Sequence, residues 1–148
     1  MKRVYALEAW CVGCKRCEVA CKASHAKSHD IVSAVKSGEP LWPRVRVEGD
    51  SYLSIAVNCR HCPHPKCVEG CISGAMRKDS LTGVVASDAD KCVGCATCVS
   101  MCPVGAVWGR NGKALKCDLC GDGAGVPGDP ACVAACPNKA LVYVESEV

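Results

Sequence analysis

CVGCATCVSMCP, residues 92–103, sets four cysteines at C-x2-C-x2-C-x3-C and closes on Pro103. CVGCKRCEVACK, residues 11–22, repeats that spacing with Lys22 in place of the proline. Two looser versions complete the series. CRHCPHPKCVEGC, residues 59–71, is C-x2-C-x4-C-x3-C, with Ile72 where the proline would stand. CDLCGDGAGVPGDPACVAACP, residues 117–137, is C-x2-C-x11-C-x3-C-P. All 16 cysteines of the chain fall into these four groups of four. A pattern that recurs along a chain marks a repeated structural unit, so the architecture must be built from four related pieces.

Three cysteines at x2-x2 spacing sit on one tight loop and present three sulfurs to one face of a guest. The spacing of the first and third groups reproduces the run that holds [4Fe–4S] clusters, in which the fourth cysteine ligates the neighbouring cluster. That exchange ties two motifs into one pseudo-symmetric unit. The second and fourth groups take the same reading because they stand beside the other two. The alternative is a zinc-stabilised cysteine-rich interaction module. Structural zinc sites favour paired C-x2-C units around one tetrahedral ion, and a triple x2-x2 run fits that geometry poorly. A disulfide scaffold would need an oxidising compartment. The cysteines divide evenly into full quartets, so no open iron is expected.

Cysteine is about a ninth of the 148 residues, above the level that flags a cysteine-built scaffold. The hydrophobic fraction of 49% includes it; without cysteine the fraction falls to roughly 38%, below the usual apolar share. There is no Phe, with three Trp and three Tyr. Large side chains therefore cannot fill the interior alone, and folding should depend on metal. The formal charge of +3 counts cysteines as neutral. Each cluster with four thiolates carries about −2, so the loaded chain sits near −5, roughly. Basicity is then no argument for nucleic acid. The start, MKRVYALEAWCVGC, has no apolar leader or twin arginine, and no stretch reaches the length of a membrane span. The expected location is cytoplasmic.

Each stretch from third to fourth cysteine (CEVAC, CVEGC, CVSMC, CVAAC) reads as a short helical turn of small residues. Such turns let backbone N–H groups reach cluster sulfurs and tune potential. Between the motifs lie strand signals. Residues 3–9 and 140–145 are expected to pair, and 44–48 and 52–57 to form a hairpin around Gly49-Asp50. Residues 83–86 read as a strand, and 106–108 with 113–115 as a hairpin turning at Asn111-Gly112. Residues 22–38 suggest one or two short helices, and 121–129 a Gly/Pro-rich surface loop.

The remaining chemistry-bearing residues take plain readings. His25, His29, His61 and His64 are expected as polar loop residues, with His61 and His64 the candidates for touching a cluster loop. Trp10, Trp42 and Trp108 cover apolar surface; an exposed Trp or Met76 could serve a subunit contact. Lys15, Arg16 and Lys66 lie inside cluster loops, and solvated charge is their default role.

On these motifs, Cys11 through Leu141, the chain resembles the four-cluster ferredoxin-like electron-transfer subunits of anaerobic oxidoreductases. These are the iron–sulfur subunits of the dimethyl-sulfoxide reductase, formate dehydrogenase and thiosulfate/polysulfide reductase type. Relatives serve carbon-monoxide dehydrogenases, hydrogenases and tungsten enzymes such as aldehyde:ferredoxin oxidoreductase. The resemblance implies an α+β, tandem bacterial-ferredoxin-like fold in one unit over 1–148. Its outer two-cluster part would be 1–22 plus 113–148, its inner part 44–112, and its surface insertion 23–43. It implies four ligand sets: Cys11, Cys14, Cys17 with Cys136; Cys117, Cys120, Cys132 with Cys21; Cys59, Cys62, Cys67 with Cys102; and Cys92, Cys95, Cys98 with Cys71. Lys22 and Ile72 depart from the family's proline, which concerns the turn and not a ligand. The implied function is electron transfer through four [4Fe–4S] clusters without a substrate site in this chain. The implied partner is the catalytic subunit of a tungsten, molybdenum or carbon-monoxide dehydrogenase type of enzyme. Ferredoxin, a flavin subunit and self-assembly are further expected partners.

Overall fold

The computed structural model describes residues 1–50, 52–121 and 128–145. Helices are short and so are strands, a mixed α and β chain. The elements in order are β1 (Lys2–Ala6), a 3₁₀ turn (Glu8–Trp10), α1 (Arg16–Ser24), α2 (Ile31–Lys36), β2 (Arg46–Gly49) and β3 (Ser54–Val57). There follow α3 (Lys66–Glu69), β4 (Met76–Lys78), β5 (Val85–Ser87), α4 (Thr97–Ser100), β6 (Val107–Arg110), β7 (Lys113–Lys116), α5 (Ala131–Ala134) and β8 (Leu141–Glu145).

The order is one unit used four times. A strand leads into a cysteine loop, a helical turn leads to the fourth cysteine, and a second strand leaves. The units are β1–α1–β2, β3–α3–β4, β5–α4–β6 and β7–α5–β8. Strands pair between units and not within them. The antiparallel pairs are β2–β3, β4–β5 and β6–β7, and β8 returns to β1 to close the series. Lys2 faces Glu145 and Ala6 faces Leu141 across that closing pair, so the first and last strands are joined.

The sequence expectations for 3–9 with 140–145, for the hairpin at Gly49-Asp50 and for the hairpin at Asn111-Gly112 match β1–β8, β2–β3 and β6–β7. Asn111 and Gly112 both take positive φ, as the tight turn between two strands of right-handed twist requires. One strand lay outside the expectation: β4, whose Met-Arg-Lys carries no β-branched residue, pairs with β5. The predicted loop 121–129 falls largely outside the described residues.

All four cysteine-to-cysteine turns are helical. Helix α3 stops at Glu69 although Ile72, not proline, follows Cys71, so a missing proline permits a longer helix without dictating one; the first turn runs on to Ser24. It then gives way to α2, capped by Asp30, whose carboxylate accepts from the Val32 N–H at 3.1 Å. Helix α1 packs on α5 and α3 packs on α4. Two apolar cores result, each containing cysteines. One gathers Val4, Cys17, Cys21, Val45, Ala56, Cys132 and Leu141; the other gathers Met76, Cys98 and Val107. Met76 is buried at the second core, which corrects its reading as a candidate contact residue. Among the described residues, no helix is long and apolar enough to cross a membrane.

The cysteine loops demand left-handed backbone. The residue just before the second cysteine takes positive φ in every motif: Gly13, His61, Gly94 and Leu119. At Gly94 a Cβ would also run into the carbonyl oxygen of Gly112, on the neighbouring turn; at Gly13 it would meet only the Ser54 hydroxyl, 2.8 Å away. An L-residue in this conformation costs about 1–2 kcal/mol. Gly94→Ala adds a backbone collision to that cost, whereas the Ser54 rotamer can yield to Gly13→Ala. Iron content after anaerobic purification should therefore fall sharply in Gly94→Ala and only modestly in Gly13→Ala.

Candidate metal centre

Each quartet of cysteines is assembled by two motifs. Cys11, Cys14, Cys17 and Cys136 line one recess, together with Ala56 and Leu141. Cys71, Cys92, Cys95 and Cys98 line another, together with Met76 and Val99. Cys67 lies among Cys59, Cys62 and Cys102, close enough for their charges to raise it. Cys132 lies in the same way among Cys117, Cys120 and Cys21, with Cys17 beyond. The helix pairing explains the exchange: α1 and α5 side by side carry Cys21 and Cys136 across to each other's loops, and α3 with α4 do the same for Cys71 and Cys102. None of the sixteen is bridged to another.

Backbone N–H groups are aimed at the sulfurs. All four fourth cysteines accept one: Cys21 from Arg44 at 3.2 Å, Cys71 from Met76 at 3.3 Å, Cys102 from Ala106 at 3.3 Å and Cys136 from Ala140 at 3.2 Å. Three of these donors stand at the entry to the outgoing strand, four or five residues on. Arg44 fills the same place although 22 residues intervene, so the unit resumes there after the insertion. Cys59, Cys92 and Cys117 accept from His61, Ala114 and Leu119 at 3.4 Å each. The Thr97 hydroxyl donates to Cys95 at 3.4 Å. A neutral thiol sulfur is a weak acceptor, so this density of donors suits ionised sulfur.

The titration behaviour points the same way. Burial, reinforced by neighbouring cysteines, pushes the Cys17 and Cys67 thiols up to about 11 and Cys117 to about 12, and Cys132 is raised as well. Four thiolates this close and this dry repel one another unless a cation sits among them. The donor set therefore fits a thiolate-ligated metal group. Among the described residues, no three His, Cys, Asp or Glu side chains close to the spacing of a single ion; a zinc site would need sulfurs about 2.3 Å from one centre. Two of the quartets, Cys11, Cys14, Cys17, Cys136 and Cys71, Cys92, Cys95, Cys98, ring recesses instead, which suits a polynuclear core.

The histidines divide. His29 and His64 are exposed, in keeping with the loop reading. His61 is not: its relative exposure is 0%, its backbone N–H serves Cys59, and its Nδ1 accepts from the Val85 N–H at 2.9 Å. Burial, then the charges of Lys116 and Arg3, hold its imidazole down to about 3, so it is neutral. His61 thus stays in its loop and touches the second cysteine motif as expected, while its burial, under the β5 residue Val85, was not foreseen. Lys15, Arg16 and Lys66 are exposed, and Lys66 pairs with Glu69 at 2.9 Å.

His25 lies where reading along the chain does not reach. Its Nδ1 meets the Cys21 carbonyl at 2.8 Å and its Nε2 meets Asp118 at 3.2 Å, 93 residues away. Arg44 also binds Asp118. This triad clamps the start of the insertion to the fourth cysteine loop. Sequence offered no cue, because the partners are remote and each is an ordinary surface type.

Burial lowers the His25 pKa, but the hydrogen bonds to Asp118 and Cys21 outweigh it and raise the group from 6.5 to about 10. Asp118 is opposed by burial too, yet His25 and Arg44 hold it well below the carboxylate range. A raised pKa means stabilisation present in full below 6.5 and lost as pH rises through about 10. The depressed carboxyl contributes above 3.8 and is lost only at much lower pH. His25→Gln should therefore lose iron to a chelator several-fold faster than the parent chain at pH 6. The difference should shrink as pH rises through about 10, the range in which His25 gives up its proton.

Comparison with known proteins agrees with this chemistry. The profile of the 4Fe-4S dicluster domain family matches residues 51–146. An iron-sulfur protein of Rhodospirillum rubrum is 35% identical, covering 96% of this chain and 81% of that protein. The electron transport protein HydN of Escherichia coli (strain K12) is 37% identical over 91% of this chain and 83% of its own length. The beta subunit of the NADH-dependent phenylglyoxylate dehydrogenase of Aromatoleum evansii is 35% identical over 97% of this chain, which spans 31% of that longer protein.

Proposed function

The chain belongs to the 4Fe-4S dicluster domain family, and on that premise we propose that it is a four-cluster electron conduit serving a separate catalytic subunit. Iron–sulfur electron transfer and [4Fe–4S] cofactors in its four cysteine quartets follow from the family and the motifs. The ligand assignment, the route and the partner are our reading.

In that reading the clusters are held by Cys11, Cys14, Cys17 and Cys136; by Cys117, Cys120, Cys132 and Cys21; by Cys59, Cys62, Cys67 and Cys102; and by Cys92, Cys95, Cys98 and Cys71. When bound, they supply one-electron chemistry over a range of about −700 to +450 mV, set by charge, hydrogen bonds and exposure. The observation that carries the route is the nearness of Cys117 to both Cys59 and Cys21. It joins the quartet pair built on α1 and α5 to the pair built on α3 and α4, so the four centres follow one another in a row in the order given. Tunnelling weakens steeply with distance, and a closely spaced row carries an electron where one long gap would stop it.

The row divides the chain into an outer unit, 1–22 with 113–148, and an inner unit, 44–112, joined by the β2–β3 hairpin, which lies in the inner stretch but packs in the first core. Together they make a tandem ferredoxin-like fold, with 23–43 as the insertion. Cys14 and Cys95 are the exposed members of the sixteen, and they belong to the two end centres. Each stands in a C-V-G-C loop beside an exposed valine, Val12 or Val93. Electrons enter at one such loop and leave at the other. No substrate chemistry is assigned to this chain. That one relative is itself named as a dehydrogenase subunit supports a catalytic partner, such as a tungsten, molybdenum or carbon-monoxide dehydrogenase type of enzyme.

Anaerobically purified protein should be brown and contain about sixteen iron and sixteen sulfide per chain. A colourless zinc protein would overturn the reading. The ligand exchange is tested by paired variants read by electron paramagnetic resonance. Cys102→Ser should perturb the same cluster signal as Cys59→Ser, and Cys71→Ser the same signal as Cys92→Ser. If Cys102→Ser instead tracks Cys92→Ser, the exchange is wrong.

A further inference from the structure

Lys116 is among the most deeply buried large side chains of the protein, with a relative exposure of 2%. Its Nζ donates to the Val85 carbonyl and to its neighbour Cys117's carbonyl, the latter at 2.6 Å. Among the described residues, no carboxylate pairs with it. Arg3, on β1, is buried beside the same region at 5% exposure, with its Nε unpartnered and no carboxylate bound. Asp118, two residues on from Lys116, is already engaged by His25 and Arg44. Two buried cations without an anion would be a heavy cost to folding unless another negative charge stands close by.

That charge has a clear source. Lys116 adjoins Cys117 of one central quartet and donates to its carbonyl, and it reaches the other through Val85: the Val85 carbonyl accepts from Lys116, the Val85 N–H donates to His61, and the His61 N–H donates to the Cys59 sulfur. The four positions that precede the first cysteine of each motif reinforce the point. Trp10 and Lys91, before the two end quartets, are exposed; Asn58 and Lys116, before the two central ones, are buried. Asn58 donates to the Val4 carbonyl at 3.0 Å and to the Cys59 carbonyl at 3.3 Å, the same pair of acceptor types that Lys116 uses at Val85 and Cys117. The repeat thus keeps a polar bracket at this place in both central motifs and makes it cationic in one.

We propose that Lys116, assisted by Arg3, is a fixed positive charge set between the two central clusters that raises their potentials relative to the two at the ends. Electrons then rest in the middle of the row, and the repulsion between electrons on adjacent central clusters is damped. Lys116 is a positioning and tuning residue in this account, touching backbone carbonyls and acting through its field. The proposal rests on the four-cluster reading, and the two can fail separately.

The test is an anaerobic redox titration of the full chain followed by electron paramagnetic resonance, with iron counted in the same samples. In Lys116→Met at full iron, two midpoint potentials should move to more negative values and two should stay. The pair that moves should be the pair whose signals Cys59→Ser and Cys117→Ser perturb. Lys116→Arg, which keeps the charge, should stay near the parent. Arg3→Met should move the same pair by less. Four unmoved potentials in loaded Lys116→Met, or four that shift together, overturn the proposal. If Lys116→Met does not load, Arg3→Met decides: a negative shift of two supports it, and no shift at full iron overturns it. Failure of the underlying reading would show itself in the parent chain, as an iron count far below sixteen.

Discussion

Charge repulsion among closely held thiolates governs this molecule. Sixteen sulfurs are drawn into four quartets, and burial reinforced by neighbouring cysteines makes Cys17, Cys67, Cys98, Cys117 and Cys132 hard to ionise. Metal reverses that balance, because cations within each quartet turn the repulsion into attraction. The rest of the fold serves the arrangement. Short helical turns deliver fourth cysteines across the pairs, outgoing strands bring N–H donors to the sulfurs, and the strand pairs between units hold one cysteine loop against the next. Apolar side chains are mostly small, Ala and Val, so the two cores take cysteines as members in their own right. Folding and cofactor loading are then one process.

Four repeated units also explain where the molecule departs from plain repetition. The second strand of the first unit is delayed to Arg46 by the insertion, yet Arg44 still supplies the N–H that Ala106 and Ala140 supply elsewhere. The delay is secured by the Arg44–Asp118–His25 triad, which fastens the inserted segment to the fourth cysteine loop. A cation–π contact of Arg46 on Trp108 and another of Arg110 on Trp42 hold its far end against β6. The insertion is therefore integrated with the cluster loops.

Much of this was legible in the chain itself. Cysteine spacing announced four quartets and helical turns, and Asn111-Gly112 announced its hairpin, because both signals are local. Helix α1 runs past the fourth cysteine, which Lys22 in the proline's place permits; Ile72 permits the same in the second motif, yet α3 ends at Glu69. What escaped was long-range or against type. The Met-Arg-Lys of β4 has no strand signature, and β5 recruits it. His61 and Lys116 look like surface residues and are buried, His61 against Val85 of β5 and Lys116 on the carbonyls of Val85 and Cys117. The His25–Asp118 contact spans 93 positions and leaves no periodic trace. Residues 122–127 of the fourth loop lie outside the described structure.

Removing the metal addresses the central claim most directly. The protein would be stripped of iron anaerobically, under reducing conditions that keep every thiol free, and its backbone protection followed by hydrogen exchange. The account predicts a general loss of protection, including the closing pair of strands at the chain ends, because the quartets that organise both cores are gone. A metal-free chain that keeps its protected strands and helical turns would contradict it.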